Sequence, residues 1–443
     1  MSVAEPHAER AGDYRRPVSP EPSAARRPAL SIDGILAILR HPLIVAFLSL
    51  AALIQVCRLY AALPGRIHEE DFADYYAAAM IMRQGENPYR TSLGPVGAKL
   101  GLHSKNHFRD DTIPETPAFL LGLKALGALP LTQAYWTWIA INFAALIASF
   151  YLLLGPGSGL RPVDACLMTA LALIYPPLID LFLTAQSQAL VILGLALSIR
   201  WFASGRDGLA GLMLAALALV RGYPGLMGLY LILARKWRAL AFMIAGGILG
   251  TAAVAASLGW NVIMDFPRGV QSTGVDRQFL TVAWNIAPAS FVWRLCLYLN
   301  GWHLGAASDR FARALGYAAS LTFMVFTLKA TLKRGSSPDR DWSLFALWGI
   351  TSIAILPVSW LNYATLLFVP FALLAAAGVR NQASTRAIWA AMVSYFLSLF
   401  AFGGLLLLDP RLPIVFVVLV GESKSIALMV GYLSAYWFAV DET

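Results

Sequence analysis

The chain has 443 residues, of which 58% are hydrophobic and 13% charged, well below the charged share of about 25% in soluble domains. That balance excludes a water-soluble globular protein, and the long run of successive apolar segments excludes a β-barrel. The net charge of +9 implies no nucleic-acid partner, because Lys and Arg collect in the cytoplasmic loops of membrane proteins.

Residues 1–29 are rich in Arg, Pro, Ala and Glu without an apolar period, which predicts a disordered cytoplasmic tail. Residues 30–40 predict a short amphipathic helix on the inner membrane surface. Residues 1–41 thus precede a transmembrane domain over 42–443. A cleaved signal peptide is not expected, because the first apolar run starts late and no small-residue cleavage site follows it. Apolar runs predict spans at about 42–62, 133–154, 163–182, 188–203, 208–220, 223–234, 239–258, 311–330, 342–357, 363–379, 387–408 and 424–440. The fold class is therefore all-α, a polytopic transmembrane bundle of about 11–13 spans. Arg10, Arg15, Arg16, Arg26, Arg27 and Arg40 precede the first span and place the N-terminus inside. Residues 63–132 then form a large extracytoplasmic loop, and segments 116–130 and 286–299 read as juxtamembrane helices. The short outer turns Ala185–Ser187 and Ser359–Asn362 contain no Lys or Arg, whereas the turn at residues 220–224 contains Arg221.

Five polar constellations fall on the outer side of this threading. Residues 68–90 place Glu69, Glu70, Asp71 and Asp74 after the first span, followed by Tyr75, Tyr76 and small residues; acids at a solvated helix start read the same way. Gln186 and Gln188 occupy the next turn, and two glutamines there also suit a plain polar turn. Arg221 between two short apolar helices needs an anion, unless it snorkels to the interface. Asp180 is the rival structural partner for it. Trp284 with Asn285, and Ser359, Trp360, Asn362 and Tyr363, are matched equally well by an interfacial aromatic belt. Together these groups suit an acceptor hydroxyl, a lipid phosphate and a sugar. A carboxylate can accept the hydroxyl proton, a guanidinium can hold a phosphate, and rings and amides can bind a sugar. No metal or other cofactor is expected: Cys57, Cys166 and Cys296 are scattered, and only the Glu69–Asp74 cluster could hold a hard cation.

These motifs resemble glycosyltransferase family 87, of the GT-C class. The similarity is carried in order by Asp71-Phe72-Ala73-Asp74-Tyr75-Tyr76, Gly85-Glu86-Asn87-Pro88-Tyr89, Thr116-Pro117 through Leu129-Pro130, Ala185-Gln186-Ser187-Gln188, Arg221 with Pro224, Lys236-Trp237-Arg238, and Pro357-Val358-Ser359-Trp360. It covers about residues 65–380. The chain departs from the family at Ala185 and Gln188, where the family has Gly and Asn, and at Asn362-Tyr363, where it has histidines. Neither Asn nor Tyr carries a proton near neutral pH as His does. The resemblance implies transfer of a hexose, often mannose, from a polyprenyl-phosphate sugar to an extracytoplasmic lipid or glycan acceptor at a bacterial inner membrane. It implies Asp71 as the base, with Asp74, Tyr75, Tyr76, Gln186, Gln188, Arg221, Asn285, Trp360 and Asn362 as expected substrate contacts. The alternatives are a transporter or flippase, which would place its polar groups near mid-membrane on repeated helices, and a non-catalytic lipid-binding relative.

Overall fold

A computed structural model describes residues 32–68, 71–102, 113, 115–272, 280, 282, 284–301, 303–333, 338–380, 383–400 and 417–441. The expected tail, the acids Glu69 and Glu70, and the end of the span at 387–408 lie outside the described residues. Within them the chain is helical, with no strand and one isolated antiparallel bridge between Asn285 and Trp360.

The chain begins with α1 (Ile32–Leu39) and α2 (Pro42–Ala62). Pro42 suits the first turn of α2, where its missing N–H goes unused. Helices α3 (Asp71–Arg83), α4 (Leu93–Lys99) and α5 (Pro117–Lys124) fill the expected loop. Helix α3 is buried on nearly every side, by Phe72, Tyr75, Tyr76, Ala77, Ala78, Ala79 and Ile81, so its acids do not begin a solvated helix. Small residues allow this enclosure: a side chain on Gly127 would meet the Ala79 Cβ at 3.0 Å. Thr116 caps α5 by accepting from the Phe119 N–H at 3.3 Å, and its hydroxyl donates to the Val220 carbonyl at 2.9 Å. That second bond ties the loop to the helix that ends at Arg221.

The bundle continues with α6 (Leu131–Leu154), α7 (Pro162–Leu173), α8 (Pro176–Leu183), α9 (Gln188–Ala203), α10 (Asp207–Arg221), α11 (Met227–Leu233), α12 (Trp237–Leu258) and α13 (Trp260–Ser272). The span expected at 163–182 is broken, with α7 and α8 meeting at 55°. Pro176 is the cause, because it holds Tyr175 in extended backbone. Then follow α14 (Pro288–Leu299), α15 (Ala306–Leu332), α16 (Pro338–Ala354), a 3₁₀ turn (Leu361–Leu367), α17 (Phe368–Val379), α18 (Thr385–Leu399) and α19 (Ser423–Asp441). Among the described residues, five segments are each long and apolar enough to cross a membrane: Pro42–Arg66, Leu131–Leu154, Trp237–Leu258, Ala306–Leu332 and Leu361–Val379. The bent α7–α8 pair makes a sixth. Leu43, Phe47, Ile248, Leu249 and Phe311 point outward from these helices, as an apolar solvent requires.

The two largest of four buried clusters among the described residues hold most of the helices together. One joins α9, α10, α11, α16, α17 and α19. The other joins the end of α2 to α3, α5, α6 and α8, and it is this core that fixes the loop helices against the bundle.

Candidate functional site

Asp71 opens α3, and one of its carboxylate oxygens accepts from the Gln186 side-chain amide. Gln186 follows Ala185, whose φ of 52° is in the left-handed region. That conformation reverses the chain after α8 and aims Gln186 back at α3, and Trp138 Nε1 holds the turn by donating to the Ala185 carbonyl at 2.6 Å. The family-type glycine is thus replaced at a position whose backbone glycine would suit.

Arg221 completes the ring. Its guanidinium donates to Ser187 Oγ at 2.6 Å, to the Tyr75 hydroxyl at 3.2 Å and to the carbonyl oxygen of Gln186. Tyr75 in turn donates to that same Gln186 oxygen at 3.2 Å. One orientation of the Gln186 amide satisfies every bond: the oxygen faces the two donors and the nitrogen faces the carboxylate. The Phe119 ring stacks 5.2 Å from the guanidinium, and Phe119 and Trp138 enclose Tyr75 edge-on.

The acid beside Arg221 is Glu115, at 3.5 Å, and not the expected rival Asp180. The Thr116 tether to Val220 brings residue 115 to the end of α10, and the field of Asp180 instead reaches Lys424. Burial pushes the Glu115 carboxyl above its ordinary range, against the opposing pull of Arg221. Burial does the same to Asp74 more strongly, reinforced by the neighbouring charges of Asp71 and Glu115. Three carboxyl groups therefore share this corner with one guanidinium.

A second arm reaches the same place from α9 and the 3₁₀ turn. The Tyr223 hydroxyl donates to Gln188 Oε1 at 2.6 Å, and the Tyr223 ring lies 5.4 Å from that of Tyr363. Asn362, beside Tyr363, is buried. Three polar atoms here, Asp74 Oδ1, Gln188 Nε2 and Asn362 Oδ1, are buried with no hydrogen-bond partner among the described residues.

The structure thus gathers Asp71, Asp74, Tyr75, Gln186, Gln188 and Arg221, with Asn362 on the adjoining turn. Two of the sequence candidates have other employment. The Tyr76 hydroxyl donates to the Leu129 carbonyl at 2.8 Å and braces α3 against the Leu129-Pro130 turn. Asn285 is fully buried and is a strut. Its amide donates to Ser290 Oγ at 2.6 Å, and its carbonyl oxygen accepts from Ser359 N at 3.0 Å and Ala287 N at 3.1 Å. That bonding pins Trp360 opposite Asn285. Sequence reasoning missed Glu115, Ser187 and Tyr223. The only signal for Glu115 was its place next to the Thr116-Pro117 helix start.

A family model, glycosyltransferase family 87, matches residues 116–357, more than half of the chain. The chain belongs to glycosyltransferase family 87. Neither the curated proteins nor the solved structures contain a match. Family membership makes this multi-pass membrane protein a glycosyltransferase, in place of the transporter reading. The matched segment of this family 87 chain carries Glu115's neighbour Thr116, Gln186, Gln188 and Arg221. Asp71 and Lys424 lie outside it.

Proposed function

We propose that the chain transfers a hexose, mannose in the leading reading, from a polyprenyl-phosphate sugar to a lipid or glycan hydroxyl on the extracytoplasmic side of a bacterial inner membrane. The observation that carries this is the hydrogen-bonded Asp71–Gln186–Arg221 chain bordered by three buried polar atoms with no hydrogen-bond partner among the described residues. Buried polar atoms without protein partners are uncommon and call for a ligand or water. Two acceptors and one amide donor at one site suit sugar hydroxyls.

Asp71 is the base in this reading. Gln186 donates to one of its oxygens and so orients the other towards an acceptor hydroxyl. The acceptor oxygen attacks the anomeric carbon, its proton passes to Asp71, and the sugar–phosphate C–O bond breaks with its electron pair on the phosphate. The leaving group changes from a singly charged diester to a monoester that gains a second charge. Arg221 stands beside the base to meet that charge, exchanging its 3.5 Å contact with Glu115 for the phosphate. The prenyl chain lies in lipid against the apolar outer faces of the spans. The bilayer, the lipid donor and the acceptor are then the partners.

Transfer from a synthetic short-chain polyprenyl-phosphate mannose tests this. Asp71→Asn retains shape and loses basicity, so turnover is expected to fall about 10²–10⁴-fold with donor binding intact. Near wild-type turnover in Asp71→Asn would remove Asp71 from the mechanism.

A further inference from the structure

Glu422 and Arg294 form a buried pair that no part of the above reaction uses. Both are 1% exposed, and the guanidinium grips the carboxylate with two bonds, of 2.6 and 2.7 Å. It also donates to the carbonyls of Leu280, Val282 and Asn285 and to Ser425 Oγ, and Tyr298 donates to Glu422 at 2.9 Å. The pair is therefore satisfied on every side, which makes it a clamp rather than a site. It joins the segment before α14 to the start of α19.

The clamp places Trp284 over Lys424. Lys424 is 4% exposed, its Nζ has no hydrogen-bond partner among the described residues, and it sits 3.6 Å from the Trp284 ring centroid. A ring face attracts an ammonium but satisfies none of its three donors. The neighbouring carboxylate, Glu422, is committed to Arg294. Asp180 is the other acid whose field reaches the amine, and it forms no ion pair with it. A buried, uncompensated ammonium is costly and marks a place for an anion. Trp284 is 45% exposed, so the subsite is open on its side.

The subsite is tied to the 3₁₀ turn beside the sugar site through Asn285. Trp284 precedes Asn285, which pairs with Trp360. Trp360 caps the 3₁₀ turn that carries Asn362 and Tyr363 and packs against α8, α9 and α19. At the Asp71 corner Arg221 reaches the phosphate only by giving up its 3.5 Å contact with Glu115, so a phosphate that gains a second charge during transfer has use for a second cation.

We infer that Lys424, held beneath Trp284 by the Arg294–Glu422 clamp, joins Arg221 in binding the phosphate of the isoprenoid donor and shares the charge of the leaving polyprenyl phosphate. This rests on the donor class proposed above. The phosphate bound need not carry a sugar, so binding can be read without turnover.

Farnesyl phosphate binding to the purified full-length protein in neutral detergent tests the assignment, with farnesol as the uncharged control. One charge-assisted hydrogen bond lost in Lys424→Gln is expected to weaken farnesyl phosphate about 10–100-fold and to leave farnesol unchanged. Lys424→Arg is expected to restore most of the affinity, and Asp71→Asn to bind normally without turnover. Equal affinity in wild type and Lys424→Gln overturns the lysine assignment and leaves the donor class standing. So does an equal loss for farnesol, which signals damage to the apolar groove. Phosphatidylglycerol competing as well as farnesyl phosphate shows a bulk-lipid headgroup site and also overturns it. If wild type binds no farnesyl phosphate yet turns over another donor, the donor class itself fails.

Discussion

Ala185 and Asp74 each occupy conditions that their residue type does not favour. Ala185 sits at φ 52°, where a Cβ costs roughly 1 kcal/mol or more. Ala185→Gly is expected to keep the fold and gain up to about 1 kcal/mol, and Ala185→Val to lose more than that, because β-branching worsens the same clash. Thermal unfolding of the two variants checks this; equal midpoints would mean the turn carries no strain. Asp74 is neutral-favouring, since burial and the charges of Asp71 and Glu115 raise its carboxyl well above the ordinary range. A raised acid stabilises the fold most below its unfolded value of about 3.9, and that contribution fades as pH rises through the folded value. Asp74→Asn removes the charge, so its melting temperature is expected to exceed wild type at about pH 8 and to converge with it near pH 4. A pH-independent difference would show that Asp74 does not titrate across this window. Both residues were legible as candidates from their motifs. Their strain and burial were not, because φ and desolvation depend on what surrounds a residue and not on its neighbours in sequence.

Helix α10 must approach α12 closely to hold Arg221 over the ring. A side chain on Gly211 would stand 2.1 Å from the Ala239 carbonyl oxygen, and one on Gly250 would stand 2.3 Å from a methyl of Leu219. Small residues permit such backbone contact between membrane helices. Gly211→Ala is therefore expected to cost about 1–3 kcal/mol by overpacking, read as a lower melting temperature in detergent. Gly247→Ala, one helix face away with nothing within 4 Å, is the control and is expected to leave it unchanged. Equal behaviour of the two would refute tight α10–α12 packing. At this scale the apolar periods located nearly every helix, and Pro176 alone marked the α7–α8 bend. What they could not show is that α3 would be enclosed. Its acids, aromatics and alanines suit a solvated surface helix until α5 and the turn at Leu126–Ala128 close over it.

For the molecule as a whole, the proposed orientation puts the Asp71 ring, the 3₁₀ turn and Lys424 outside the cytoplasm. Single cysteines at exposed Glu86 and Asn300, in a background lacking Cys57, Cys166 and Cys296, are expected to react with impermeant thiol reagents in intact spheroplasts. Cysteines at exposed Ser204 and Lys333 are expected to react only after permeabilisation. The reverse pattern would invert the orientation and with it the side on which transfer occurs. Composition and apolar run length determined by themselves that this chain is a helical membrane bundle, because a water-poor solvent leaves few ways to satisfy a backbone. The order of motifs likewise determined the family. Only the tertiary structure decided that Glu115 faces Arg221, that Asn285 is a strut, and that Lys424 lies buried beneath Trp284 with no acid paired to it among the described residues. Those pairings join residues more than 70 positions apart. They are set by which helix ends the two cores bring together, and a one-dimensional pattern of apolar and charged residues carries no record of that.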